Sequence, residues 1–353
     1  RVLHLYRPRL PGQRAQAIQV LHTCHALAER GHEVTLIADR GPAPATAAHA
    51  LERLGLAPTE GLDIRIAPLS HSGAAGVWFR RELARWWKGR PGIILARDKR
   101  RLLQAMDVHP HRHRVILETH ELDSALVADR GEDPASVFQL EARCAALSHA
   151  LVANCGGTLS AWRETHDALP SLQRVSHNAT SLTRSREGIV DRDAVIRVLG
   201  SARSFKGVTQ LKSLSARASL AIEWIGASED ELRQETASES VRFLPPVPYR
   251  EVPDVLARSR VLLLPLQNNR FGRSLTSPLK LWDYLATGTP IVAPSLPTVI
   301  EIEEISRAKI HLYRLGDASD LGRALTEALD APLRRPFLRT WDERASELEA
   351  LFE

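Results

Sequence analysis

The 353-residue chain has little cysteine, a single methionine and only 5% aromatic residues. Cys24, Cys144 and Cys155 are odd in number and no two stand in C-x-x-C spacing. That argues against a disulfide framework or a thiolate zinc site and fits a reducing compartment. No apolar run approaches the roughly 18 residues that span a bilayer; the longest, near Val261–Leu266, is strand-sized. Neither G-x-G-x-x-G nor G-x-x-x-x-G-K-[ST] occurs, which sets aside dinucleotide oxidoreductases and P-loop nucleotide hydrolases. No signal-peptide pattern stands at the start, although Arg1 is not a native first residue and leaves room for a removed leader. The expected location is the cytoplasm, with peripheral contact at the cytoplasmic membrane face as an added expectation.

What is present is ordinary for a soluble globular protein: 44% apolar and 25% charged residues. The length suggests about two domains at roughly 150 residues each. The net charge of +5 is unevenly placed. Residues 1–180 hold 23 Lys and Arg against 18 Asp and Glu, and residues 181–353 hold 24 of each sign. Any pull on anionic partners therefore belongs to the first half.

Short apolar runs alternate repeatedly with helical periodicity, the mark of an α/β chain with parallel sheets. Strands are predicted at Val2–Tyr6, Glu33–Ala38, 63–66, 92–96, 114–118 and 149–153, with a helix over Ala15–Arg30 that stops at Gly31. Residues 179–193 are polar and aperiodic and read as a linker. The alternation then restarts: strands at Val195–Leu199, Ala221–Ile225, Val261–Leu264, Pro290–Ala293 and 309–313, helices near 207–216, 229–237 and 250–258, from Pro278, and over 317–329 and 338–351. The expected fold is two tandem Rossmann-like domains with parallel sheets facing a central cleft, the natural ligand site. The expected boundaries are 1–180 for a first domain, 181–335 for a second, and 336–353 for a helix returning toward the first.

Several segments carry candidate chemistry. Gly200 follows a strand directly, and Lys206 and Gly207 stand at the mouth of the next helix; a glycine turn, a helix N-terminus and a lysine suit a diphosphate. The same segment also reads as a plain strand-to-helix loop with a solvated lysine. Ser277 before Pro278 reads as an N-cap followed by the residue favoured at the first helical position. The free amides of that helix start can bind anionic oxygens. Asp283, on the same helix, either accepts both hydroxyls of a ribose or is an ordinary exposed carboxylate. His120 stands where a strand ends, on the edge where α/β sheets bind ligands, and is a candidate hydrogen-bond donor or proton carrier. His109, His111 and His113 alternate without Cys or acidic partners nearby, so no metal is expected.

Residues 78–101 contain nine Lys and Arg and two acids. Phe79, Leu83, Trp86 and Trp87 recur at helical spacing, making a basic amphipathic helix suited to an anionic membrane surface. The competing reading packs this stripe on the first domain. Nucleic acid is not an expected partner, because no binding motif accompanies the patch.

Six segments in order resemble glycosyltransferase family 4, the retaining nucleotide-sugar enzymes of GT-B fold. They are RAQAIQVLHTCHALAERGHEVTLIAD (14–39), ILARD (94–98) with ILETHEL (116–122), HALVANCGGTLSAW (149–162), RVSHNATS (174–181), VRFLPPVPYREVPDVLARSRVLLLPL (241–266) and SPLKLWDYLATGTPIVA (277–293), the last the most specific. The resemblance implies that Lys206 grips the donor diphosphate and that Asp283 takes the place of a ribose-binding Glu. It also implies that the amides around Ser277, Pro278, Leu279 and Lys280 hold phosphate, that His120 touches the transferred sugar, and that Gly12 lies near the donor phosphates. Three positions depart from the family. Ser201 stands where an Arg follows the strand glycine Gly200, with Arg203 two residues on as its substitute. Leu275 stands in place of the first Glu of E-x7-E, with Thr276 beside it. Asp283 is shorter than Glu by one methylene.

The implied activity is transfer of a sugar from a nucleotide-diphosphate sugar, UDP- or GDP-linked, to a hydroxyl of a glycan, lipid-linked or small-molecule acceptor, with retention and without metal or other cofactor. Trp78, Arg81, Arg85, Trp86 and Arg97 are the membrane or acceptor candidates. A nucleotide-sugar epimerase, an inverting transferase and a non-catalytic sugar-nucleotide binder are the alternatives.

Overall fold

The computed structural model describes residues 1–6, 8–10, 15–41, 46–67, 73–87, 89–108, 113–182, 193–200, 221–227 and 241–353. These fall into two compact units: Arg1–Asn178 with Leu275–Ser277 and Thr340–Glu353, and Ala179–Ser274 with Pro278–Arg339.

Unit 1 is built on eight strands: β1 (Val2–Leu5), β2 (Arg9–Leu10), β3 (Val34–Arg40), β4 (Leu62–Ile66), β5 (Gly92–Ala96), β6 (His113–Thr119), β7 (Ala150–Ala153) and β8 (Leu172–Val175). Their order is β2-β3-β1-β5-β6-β7-β8, with β4 also on β3, and all pairs are parallel. The helices are α1 (Ala15–Glu29), α2 (Ala47–Glu52), α3 (Gly73–Trp87), α4 (Lys99–Val108), α5 (Asp123–Ala128), α6 (Ala135–Ala146) and α7 (Gly156–Thr165). β1 and β7 are buried along their whole length, as parallel strands covered on both faces must be, and so they read as unbroken apolar runs.

Unit 2 carries β9 (Ile196–Leu199), β10 (Ile222–Ile225), β11 (Val241–Leu244), β12 (Val261–Leu263), β13 (Ile291–Pro294) and β14 (His311–Tyr313). They form a second all-parallel sheet in the order β11-β10-β9-β12-β13-β14. Its described helices are α8 (Val252–Ala257), α9 (Arg270–Ser274), α10 (Leu279–Thr287), α11 (Pro297–Ser306) and α12 (Ala318–Asp330). Two parallel-sheet α/β units are thus present.

A last helix, α13 (Trp341–Glu349), belongs to unit 1. Its start is specified by a capping box: Thr340 Oγ1 accepts from the Glu343 amide at 3.1 Å, and the Thr340 amide donates to Glu343 Oε2 at 2.6 Å. α13 lies along α1. Trp341 stacks on His22 at 5.3 Å, and Arg30 pairs with Asp342 and Glu349 at 2.9 and 2.6 Å.

Strands β2, β8 and β11 are elements that periodicity did not single out; they stand at sheet edges and are partly exposed, so they lack the continuous apolar run of the inner strands. Part of the proposed linker is packed instead: Ala179, Thr180 and Leu182 are buried in unit 2. The helices expected near 207–216 and 229–237 lie outside the described residues, as do His109 and His111. Cys24, Cys144 and Cys155 are buried free thiols, two of them on helices α1 and α6.

The aromatic stripe of α3 is a correction to the membrane expectation. Phe79, Leu83 and Trp86 are buried in the core of unit 1, with Trp78 packed against it. Trp86 and Trp87 also meet His113 at 5.1 and 4.6 Å, which makes His113 a packed core residue. An apolar face already covered by protein cannot also enter a bilayer. Arg81 and Arg85 are exposed on the other side, with Arg85 paired to Glu82 at 3.1 Å. Among the described residues no helix is long and apolar enough to cross a membrane.

Candidate functional site

In unit 1 the candidate chemistry lies at the carboxyl end of β6. His120 directly follows the strand and is buried. Its Nε2 donates to Glu118 Oε1 at 2.6 Å. Strand alternation puts residues two apart on the same side, which is why Glu118 reaches it. The same carboxylate oxygen accepts from Gln19 Nε2 at 2.9 Å and from Arg344 Nη2 at 2.6 Å. Arg344 comes from α13 and also donates to Thr23 at 2.9 Å. Arg97, at the end of β5, donates to Gln19 Oε1 at 2.5 Å and lies 4.7 Å over the Tyr6 ring. Asn154 Nδ2 reaches the His120 carbonyl at 3.4 Å.

The electrostatics of this cluster assign its charges. Burial pushes the Glu118 carboxyl upward, but the Arg344 guanidinium and the His120 hydrogen bond overcome it and hold the group well below the usual range. Burial, with the Arg97 guanidinium, holds His120 below the ordinary imidazole value. His120 is therefore neutral at neutral pH, and the carboxylate beside Nε2 selects the tautomer with the proton there. Nδ1 is left as an acceptor. The expectation that His120 donates to a substrate is thus narrowed: Nδ1 can only accept, from a hydroxyl.

In unit 2 two glycines close the sheet edge. Gly200 follows β9 with φ +99 and donates its amide to the Ile225 carbonyl at 2.6 Å. Gly226 follows β10 with φ +107, and a side chain there would meet the Gly200 backbone at 3.0 Å. Only glycine accepts both the left-handed backbone and that close approach. Tyr284, on α10, receives the Leu199 amide on its hydroxyl at 3.0 Å, which fixes α10 against the strand that delivers Gly200.

The start of α10 differs from the sequence expectation. Pro278, with φ −63 and ψ 113, is the N-cap residue itself, and no side chain caps the helix. Ser277 is turned away into unit 1: its Oγ accepts the Asn178 amide at 3.1 Å and lies 3.3 Å from His177 Nδ1. Asn178 Nδ2 further holds the Ser277 carbonyl at 2.6 Å. The proline that was expected inside the helix precedes it, and its ring leaves no capping hydroxyl, so the first amides of α10 have no side-chain cap. Leu275 is buried in unit 1 with its carbonyl 3.4 Å from Asn154 Nδ2, and Thr276 is half-buried beside it.

Asp283 is not an exposed helix carboxylate. It is 5% exposed, and Oδ1 accepts from Thr180 Oγ1 at 2.7 Å. Burial raises its carboxyl to about 7, against the opposing hydrogen bond from Thr180 and the charge of Lys280. Gly12, Ser201, Arg203 and Lys206 lie outside the described residues. The structure therefore gathers Arg97 and His120 in unit 1, and Gly200, Pro278–Lys280 and Asp283 in unit 2. Glu118, Arg344, Thr180 and Tyr284 were not singled out from the sequence. The E-x-H alternation points to Glu118; nothing local marks the other three.

A model of Glycosyltransferase Family 4 matches residues 16–184, and one of Glycosyl transferases group 1 matches residues 203–331. No curated protein matches the chain in sequence. Among solved structures, the sucrose-phosphate synthase tll1590 from Thermosynechococcus elongatus aligns with TM-score 0.70 and 14% identity, covering 100% of this chain and 94% of that one. Alr3699/HepE of Anabaena, in complex with UDP and glucose, aligns with TM-score 0.66 and 14% identity over 98% of this chain and 94% of its own. WaaG, a glycosyltransferase involved in lipopolysaccharide biosynthesis, aligns with TM-score 0.63 and 14% identity over 100% and 96%. With glycosyltransferase models matching both parts of the sequence and two parallel-sheet units matching these neighbours, the chain is a glycosyltransferase of the GT-B fold.

Proposed function

We propose that the chain is a retaining, metal-independent transferase that moves a sugar from a nucleotide-diphosphate sugar to an acceptor hydroxyl. The observation that carries the reading is α10: a helix start without a side-chain cap at the end of an all-parallel sheet, with a buried carboxylate on the same helix. The amides suit the anionic oxygens of a diphosphate. Asp283 already accepts a hydroxyl from Thr180 on Oδ1, and a ribose hydroxyl would share that oxygen or be accepted by Oδ2. The resemblance adds Lys206 and Arg203 as further diphosphate partners. Complexes of Alr3699/HepE with UDP and UDP-glucose favour a uridine nucleotide over a guanosine one.

In the proposed reaction the bond from the anomeric carbon to the diphosphate oxygen breaks as the acceptor oxygen bonds to that carbon from the same face. The acceptor proton passes to the β-phosphate oxygen of the leaving nucleotide. The α10 amides, Lys206 and Arg203 stabilise the charge growing on that group, the kind of preorganised electrostatics that dominates such catalysis. Neutral His120 accepts a sugar hydroxyl on Nδ1 and orients the ring. The resemblance, rather than any geometry, supplies retention and independence of metal. The acceptor is a glycan, lipid-linked or small-molecule hydroxyl.

The test is calorimetric titration with UDP, GDP, ADP and CMP, with Lys206→Ala as control. Selective binding of one nucleotide, weakened by the substitution, supports the donor site; no binding of any refutes it. Product anomeric configuration, assayed in the presence of a chelator, separates retention from inversion or epimerisation and tests metal independence together.

A further inference from the structure

A cavity of about 710 Å³ opens within unit 2, away from the start of α10. Its wall carries Arg307, Lys309, Arg334 and Arg335 and no carboxylate, with Phe337 and Leu338 as apolar surface. None of these four cations forms an ion pair among the described residues. By contrast Arg197, Arg242, Arg258, Arg314 and Arg323 of the same unit are each matched to Asp or Glu. The nearby Glu303 spends a carboxylate oxygen on the Ile310 amide at 2.8 Å. Four like charges around one space repel one another, and an anion between them removes that repulsion.

The cavity is held in shape rather than lined by loose side chains. The segment carrying Arg334 is fastened to the end of α10: the Arg334 amide donates to Gly288 O at 2.8 Å and the Phe337 amide to Leu285 O at 3.0 Å. Gly288 has φ +73, and a side chain there would stand 2.6 Å from the Arg334 carbonyl. Arg334 donates through Nε and Nη2 to Thr289 O at 3.1 and 2.8 Å, while Nη1 is buried with no partner among the described residues. Buried donors are rarely left unmatched in a finished site. Burial lowers Arg334 to about 10, so it stays charged at neutral pH. Burial lowers His311 on β14 too, and Lys309 and Arg334 add to that effect against Glu327, so their positive field extends into the sheet.

Arg307 adds a separate observation. It ends α11 with φ +50, and it is the one non-glycine with positive φ among the described residues. That left-handed position suits glycine, and an arginine there holds a strained backbone in the cavity wall.

We propose that this cavity is a second ligand site of the enzyme, for a small molecule bearing two or more phosphate or carboxylate groups. Guanidinium forks match such oxyanions bidentately, and Phe337 and Leu338 take an organic portion. The site lies at the end of α10 opposite its uncapped start, about 13 Å along a nine-residue helix. It is therefore distinct from the proposed donor phosphate position, and Arg307, Lys309 and Arg335 are open to solvent.

The test is calorimetric titration of the full chain with inorganic pyrophosphate and, separately, with citrate, at low salt, each repeated in saturating UDP. The expected result is binding that persists in UDP and weakens about tenfold in Arg335→Ala and again in Arg307→Gly. The stronger of the two ligands then assigns phosphate or carboxylate recognition. Arg307→Gly relieves the backbone while removing a cation, so lost binding with a raised Tm cannot be misfolding. Binding of neither ion, equal affinity in both variants and the parent, or displacement by UDP would each overturn the proposal.

Discussion

Arg344 and Glu118 stand 226 positions apart in the chain and meet at 2.6 Å, each only 1% exposed. One belongs to the C-terminal helix, the other to a central strand of the first sheet. The guanidinium keeps Glu118 ionised, and Glu118 in turn sets the tautomer of His120. Removing Arg344 leaves a buried charge without its counterion. Arg344→Met should therefore cost about 3–5 kcal/mol in urea denaturation. The double variant with Glu118→Gln should cost less than the sum of the single ones, since both charges are then gone; additivity would count against the coupling.

For His120 the expected pH behaviour is flat. Its imidazole is held below its ordinary value by burial and Arg97, so it does not titrate between about pH 6 and 8. His120→Ala should lower kcat/KM by about 10–100-fold, the worth of one substrate hydrogen bond. A parental rate profile with an inflection near 6.5 that vanishes in His120→Ala would contradict the neutral-acceptor role.

Asp283 gives a stability signature. Its carboxyl is raised by burial to about 7, above the unfolded value, so the folded state holds the proton longer than the unfolded one. The contribution of this group to stability should fall as pH rises from about 4 to about 7 and level off above, by at most about 4 kcal/mol; buried His120 contributes with the opposite sign, so the signature is the difference between the parent and Asp283→Asn at each pH. Asp283→Asn keeps an acceptor for Thr180 and should abolish that slope. Denaturation at pH 5 and pH 8 decides it.

Trp86 separates packing from membrane binding. Its ring is 3% exposed, packs against His113 and lies 5.1 Å from the Arg1 guanidinium. Trp86→Ala should destabilise unit 1 by about 3–5 kcal/mol. Co-sedimentation with anionic vesicles, measured on folded protein, should not change; a selective loss of vesicle binding would restore the interfacial reading.

Arg307→Gly should raise stability by about 1 kcal/mol, because glycine carries no penalty in the left-handed region. A thermal melt reads this directly, and an unchanged or lowered Tm would show that the arginine backbone is unstrained.

The sheet strands were legible because parallel strands buried on both faces appear as short, continuous apolar runs, as in Val2–Leu5 and Val261–Leu263. The helix over Leu279–Thr287 was legible from its proline, although that proline precedes the helix as its N-cap residue and does not occupy its first turn. Two local readings failed because local chemistry had competitors elsewhere in the chain. Ser277 lost its capping role to the Asn178 amide, and the aromatic face of α3 found a core instead of a membrane. His120 and Asp283 were visible as residue types at telling positions. Their protonation was not, since it depends on Arg344, Arg97 and Thr180, brought in from distant segments. The sequence by itself determined the alternation of strands and helices and the two-unit α/β architecture, which follow from periodicity along the chain, and its motif segments carried the family resemblance. Only the tertiary structure decided which groups are buried, which are charged and where four arginine and lysine side chains share one cavity. Desolvation and ion pairing act through space, between residues that sequence order keeps apart.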